Sequence, residues 1–183
     1  MRLKKIGDVI NNAGKGKITP AKEITSDLDF INMWEGLYNN NVRYLTIGEF
    51  AVCFYGYTRL TGILEILIED SNKNRKNLRK ALKDIGIGDF PQIETTQLIP
   101  GWTDFTLGPG LRLDVMTSVK GLDKESFDEL YLASETTAIR DIPISFINFK
   151  HLIISKKATN RPKDQLDIEE LEKIKKCSEE NPE

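Results

Sequence analysis

Apolar positions at the start of the chain follow a helical period. Leu3, Ile6, Val9 and Ile10 recur at the spacing of one helix face and predict a short amphipathic helix over 2–13. A break at Gly14-Lys15-Gly16-Lys17 leads to Pro20, after which Ser26 or Asp27 is placed to cap a second helix through about Asn39. Phe30, Trp34, Leu37 and Tyr38 form its expected apolar face. The pattern then shortens. Val42 to Ile47 reads as a strand, followed by Gly48 and a short apolar helix from Glu49 to about Tyr55. Ile63 to Ile68 is a second strand, aliphatic except for Glu65. Ser71 caps a polar helix through about Ile85, where Gly86 marks the boundary.

Further on, residues 103–107 and 111–116 alternate as two strands around Gly108-Pro109-Gly110. A helix is expected from Asp123 to about Tyr131, a single strand from Ile139 to Ile147, and helices near 149–158 and 163–176, with a frayed end. This order predicts an α/β fold: a small mixed sheet, helices on one side of it, and a C-terminal helical pair. The expected division is N-terminal helices at 1–41, an α/β core at 42–147, the helical pair at 148–176 and a tail at 177–183.

Composition narrows the function classes. The chain has 183 residues, enough to bury a core without disulfides or metals. Its 26 basic and 28 acidic residues leave a net charge of −2, so no global field draws it to nucleic acid. No apolar run reaches membrane-spanning length, and the N-terminus lacks the apolar core of a signal peptide. Cys53 and Cys177 are far apart and outside any C-x-x-C pattern, which suits a reducing, cytoplasmic setting.

Two chemistries are set aside. Gly14-Lys15-Gly16-Lys17 is not a P-loop, because Ile18 stands where the magnesium-binding hydroxyl belongs and Asn11 where the first glycine belongs. His151 is the sole histidine and lies in KHLIISKK, a packing or surface position, and no G-x-S-x-G elbow accompanies it.

The segment YLTIGEFAVCFYGYTRLTGILEILIED carries the chemistry. It reads as strand, glycine turn, short helix, a linker with Arg59, and a second strand. A glycine at a strand-to-helix turn lets a phosphate approach the N–H groups of a helix N-terminus. Carboxylates at alternate positions of the second strand, joined by one from a neighbouring strand, would make a two-metal site for phosphoryl transfer.

In this arrangement the segment resembles the minimal nucleotidyltransferases of the DNA-polymerase-β superfamily, including toxin- and antitoxin-associated members of AbiEii type. Gly48, Ala51-Val52, Gly56, Arg59 and Thr61 fall in register with their pattern, and Leu113-Asp114-Val115 matches the strand of the third carboxylate. HLIISKKATNRPKDQLDIEEL is similar to their C-terminal helical pair, through Lys156, Arg161, Lys163, Asp164 and Asp167. The resemblance spans about 42–172, with 86–105 fitting poorly. It implies Gly48, Glu49, Arg59, Thr61 and Lys156 as nucleotide-binding positions, and Glu65 and Asp114 as the catalytic and magnesium-binding pair.

Departures from the pattern weaken that chemistry. Ile63 stands where the first metal-binding aspartate belongs and cannot ligate a hard cation; Glu65, one methylene longer, stands at the second. Glu49 replaces the small residue that follows the glycine, and its charge opposes phosphate. The expectation is therefore a catalytically degenerate protein that binds a nucleotide or a protein partner, with Glu49, Glu65 and Asp114 converging on one cleft. The alternatives are an active enzyme moving a nucleoside monophosphate from a triphosphate onto protein or RNA, with magnesium on Glu65 and Asp114, and a purely structural interaction domain.

Overall fold

The computed structural model describes residues 25–59, 61–95, 102–108 and 110–180; the expected helix at 2–13, the Gly-Lys segment and Pro109 lie outside them. The elements run α1 (Thr25–Asn39), β1 (Tyr44–Thr46), α2 (Gly48–Phe54), β2 (Ile63–Ile68), α3 (Asn72–Asp84), α4 (Gln92–Thr95), β3 (Trp102–Gly108) and β4 (Leu111–Met116). They continue with α5 (Phe127–Leu132), β5 (Glu135–Ile139), β6 (Ile142–Phe146), α6 (Phe149–Thr159) and α7 (Pro162–Glu180). The strands form one mixed sheet in the order β3-β4-β2-β1-β6-β5. Here β2 is antiparallel to β1 and parallel to β4, β1 is parallel to β6, and the hairpins β3–β4 and β5–β6 close the two ends.

Helices cover both faces of this sheet, not one. Trp34 of α1 donates from Nε1 to Thr46 Oγ1, and Thr46 pairs with Ile66, so α1 lies over the Ile66 face. Glu65 points to the opposite face, where it lines a cleft with Leu152 and Lys156 of α6. The physical reason is visible in β2 itself. Leu64, Ile66, Leu67 and Ile68 are all buried, the continuous apolar run of a strand covered on both sides. Phe30, Trp34, Phe50 and Phe146 fill the core beside it, with Phe54 stacked on Phe146 at 4.4 Å.

Local chemistry sets the boundaries. Ser71 Oγ accepts the Asn74 N–H at 3.2 Å and starts α3 as expected. α5 begins at Phe127 instead of Asp123, because Ser126 and Glu129 form a reciprocal capping box. The single strand expected over 139–147 is a hairpin: Arg140 and Asp141 adopt φ of 51° and 64°, as a two-residue turn of the type I′ kind requires. Tyr38, expected on the apolar face of α1, is 52% exposed. α7 takes Pro162 as its first residue and stays helical through Glu180, past the expected fraying.

Candidate functional site

The glycine turn joins β1 to α2 as the pattern requires, but a side chain already occupies it. Ile47 is extended, and Gly48 turns the chain with φ of +62°, a conformation that penalises any residue with a Cβ. The Glu49 N–H at the start of α2 donates to Glu65 Oε2 at 3.1 Å. A Cβ on Gly48 would lie 1.6 Å from that same oxygen. Gly48 is thus doubly constrained, by its backbone and by the carboxylate packed against it. The carboxylate from β2 sits where a phosphate would approach the turn.

Glu65 and Asp114 are directly paired in register on β2 and β4, and Asp104 of β3 pairs with Asp114 in turn. Alternation places all three on the cleft face of the sheet. Asp104 was not singled out by the sequence reading, although Phe105 beside it alternates to the buried side. Asp114 is 5% exposed and is held by Arg112, two residues along the strand, with Nε at 2.6 Å and an Nη2 hydrogen bond at 3.0 Å. Burial pushes the Glu65 carboxyl above its ordinary range, against the pull of the Glu49 N–H and of Lys156 and Lys163. Asp114 is likewise raised by burial, with Arg112 opposing and Asp104 adding to the effect.

Of Glu49, Glu65 and Asp114, expected to converge on one cleft, Glu65 lines the cleft and Asp114 stands beside it in register on β4. The Glu49 carboxylate pairs with Lys163 Nζ at 3.0 Å and Arg59 Nη2 at 3.4 Å. Burial pushes its carboxyl up, but hydrogen bonds from Lys163 and Thr61 and the charges of Lys163 and Arg59 outweigh that and hold it below the usual value. Arg59 bonds through Nη1 to Asp167, which also takes Lys156 Nζ at 2.6 Å. Asp164 lies 3.4 Å from Lys156 Nζ and accepts from Arg161 Nε at 2.6 Å and Thr159 Oγ1 at 2.8 Å. Asp164 and Asp167 are three residues apart on α7, on one helix face, and both are fully buried. Burial alone would raise Asp164; Arg161, Thr159 and Lys156 reverse that and bring its carboxyl to about 2. Three carboxylates therefore hold four cations and lock α6 and α7 to α2 and the Arg59 segment.

Of the positions expected to bind nucleotide, Lys156 is buried in this network while still lining the cleft, Arg59 serves the network, and Thr61 Oγ1 accepts the Ile63 N–H at 3.1 Å. His151 is half-buried, its backbone N–H held by Asn148 at 2.8 Å. Cys53 is buried and Cys177 exposed, both as free thiols. The cleft encloses about 200 Å³, with Glu65 and Gly48 on its floor and Ser118, Lys120, Lys156 and Arg161 around it.

These residues do not fit a catalytic magnesium ion. Magnesium demands near-octahedral oxygen ligands. Ile63 offers none, a Glu65 oxygen is committed to the Glu49 N–H, and Asp114 is paired with Arg112. Among the described residues no set of three or more His, Cys, Asp or Glu side chains is placed to share a metal ion. Among the same residues no helix is long and apolar enough to cross a membrane. No protein-family model matches the chain, and no curated protein is significantly similar to it.

Proposed function

We propose that this chain is a catalytically silent relative of the nucleotidyltransferases that acts by contact with a protein partner. The observation that carries the reading is the internal occupation of the phosphate-binding features. Glu65 takes the N–H at the glycine turn, and Glu49, Asp164 and Asp167 take Arg59, Lys156, Arg161 and Lys163. A triphosphate entering the cleft would have to compete with these ion pairs, and breaking the buried ones that Lys156 makes with Asp164 and Asp167 costs several kcal/mol. The free thiols Cys53 and Cys177 support a cytoplasmic setting for such a protein.

Calorimetric titration with magnesium and each nucleoside triphosphate tests this. No saturable heat is expected from the wild-type protein. The paired substitution Ile63→Asp with Glu49→Ser, which returns an oxygen ligand and removes a charge from the turn, is expected to gain affinity. Saturable wild-type binding together with transfer of a labelled nucleotide that Glu65→Ala or Asp114→Ala abolishes would overturn the proposal.

A second reading is nucleotide binding without transfer. It is favoured by the cleft itself, whose lining includes Lys120, Ser118 and Ser155. The same titration separates the two, since this reading predicts binding without any transfer.

A further inference from the structure

The sheet ends on β5, and the hydrogen-bond pattern of its hairpin determines what that edge presents. The two-residue turn closes on the pair Ile139 and Ile142. Antiparallel pairs alternate between those that exchange backbone hydrogen bonds and those that do not. Ile139/Ile142, Thr137/Ile144 and Glu135/Phe146 are then the bonded pairs, and Ala138/Pro143 and Thr136/Ser145 the non-bonded ones. Two observations agree with this phase. Pro143, which has no N–H, falls at a non-bonded position, and Thr136 Oγ1 lies 3.2 Å from Ser145 Oγ, as the closer side chains of such a pair allow. The N–H and C=O groups of Thr136 and Ala138 therefore point away from β6.

Among the described residues no strand pairs with that side of β5. Natural edges are blunted with lysine, proline or a bulge. Thr136-Thr137-Ala138 carries no charge and no proline, and its register is unbroken. Thr136 and Ala138 are exposed, and Leu132, three residues ahead of the strand, is 85% exposed.

We infer that β5 is the contact edge of a symmetric dimer, paired antiparallel across Thr137 with β5 of a second copy of this chain. Of the two-fold registers, the one centred on Thr137 pairs both outward residues of each β5. Thr136 exchanges both hydrogen bonds with Ala138 of the partner subunit, Ala138 does the same with Thr136 of the partner subunit, and Thr137 faces its own counterpart on the axis. No like charges meet: Glu135 falls opposite Ile139 of the partner subunit and one position from the partner's Arg140. The same patch serves both copies, so the contact closes as a two-fold and does not propagate. It joins two six-stranded sheets into one and is independent of what the cleft binds.

Cross-linking in a Cys177→Ser background tests the register. Facing residues of a non-bonded antiparallel pair have Cα atoms about 4.5 Å apart, within reach of a disulfide. Mild oxidation of the Thr137→Cys protein is expected to give a covalent dimer, whereas Thr136→Cys, whose partner is Ala138, is expected to give little. Light scattering should show twice the chain mass for the wild-type protein. It should show a single chain for Ala138→Pro, which removes an outward N–H and leaves the β5–β6 bonds intact. Thr137→Lys, which sets two charges face to face on the axis, is the second disrupting variant, and far-ultraviolet circular dichroism confirms that each variant is folded. A monomeric wild-type protein, a dimer unaffected by both disrupting variants, or equal cross-linking at 136 and 137 would overturn the inference.

Discussion

Replacing Asp167 with asparagine probes the network at its centre. The carboxylate is fully buried, lies 2.6 Å from Lys156 Nζ, and also binds Arg59. Unit charges at that separation attract by about 6 kcal/mol at an effective dielectric constant of about 20. Desolvation of the groups offsets much of that attraction, but it is not recovered when only one partner is neutralised, and such losses run to about 3–5 kcal/mol. Asp164, 3.4 Å from the same ammonium, still screens Lys156, so the lower end applies, about 3 kcal/mol. With a urea dependence of about 2 kcal/mol per molar, the midpoint should fall by about 1.5 M with an unchanged slope. Adding Lys156→Met removes the stranded cation and should recover part of the loss, giving a coupling energy above about 1 kcal/mol. The cleft supplies an independent readout, since a Lys156 left with Asp164 alone should bind inorganic phosphate more tightly than wild type. A loss below about 1 kcal/mol, or additivity within about 0.5 kcal/mol in the double variant, would refute the view that this network anchors α6 and α7.

Two pH-linked predictions follow from the same residues. Asp164 is held at about 2, below its unfolded value, so its contribution of about 2 kcal/mol is complete above the ordinary aspartate range and lost as pH falls toward 2. Acid unfolding of wild type against Asp164→Asn measures it, and parallel profiles would refute it. Glu65 has the opposite sign: its carboxyl is raised by burial, so the stability it lends is present below the ordinary glutamate range and lost as pH rises through the raised value. Glu65→Gln, which keeps an acceptor for the Glu49 N–H, should therefore gain on wild type between pH 4 and pH 8. Thermal melts across that interval that show the variant losing ground with rising pH would contradict the assignment.

Much of the fold was legible because its signals are local. The aliphatic run of β2 and the Ser71 cap needed no knowledge of the tertiary structure. The same run also implied cover on both faces, a consequence that the expectation of one-sided helices overlooked. The β5–β6 turn was illegible for a physical reason: Arg140-Asp141 takes positive φ without the glycine or asparagine that usually signals such a turn. The Ser126–Glu129 capping box is itself a local signal, and it starts the helix at Phe127 and not at the expected Asp123. In the site, the resemblance set Glu65 and Asp114 on adjacent strands, and there they pair in register; alternation alone gives only the face of each. Which charge pairs with which was not legible, because Arg59 and Asp167 are 108 positions apart and meet only when α7 packs against the core.

The departures at 63, 65 and 49 make more sense jointly than one at a time. With isoleucine at 63, Glu65 has no acidic neighbour on its own strand face with which to share a cation. Its extra methylene, about 1.5 Å of reach, then lets the carboxylate span from β2 to the Glu49 N–H, which an aspartate would leave short. Glu49, in place of a small residue, gives Lys163 its carboxylate and Arg59 a second one beside Asp167. Without these carboxylates Arg59, Lys156, Arg161 and Lys163 would face one another, at a cost of several kcal/mol for the buried Lys156. Of the three departures only Glu49 pairs with cations; Asp164 and Asp167 hold the others, and Glu65 answers the N–H of the turn. That is why Ile63→Asp alone is a weak route back to nucleotide binding: the new carboxylate would meet Glu65 on the same face while the cations remained held by Glu49, Asp164 and Asp167. Under the proposed function, relieving an internal competitor such as Glu49 matters as much as restoring a ligand.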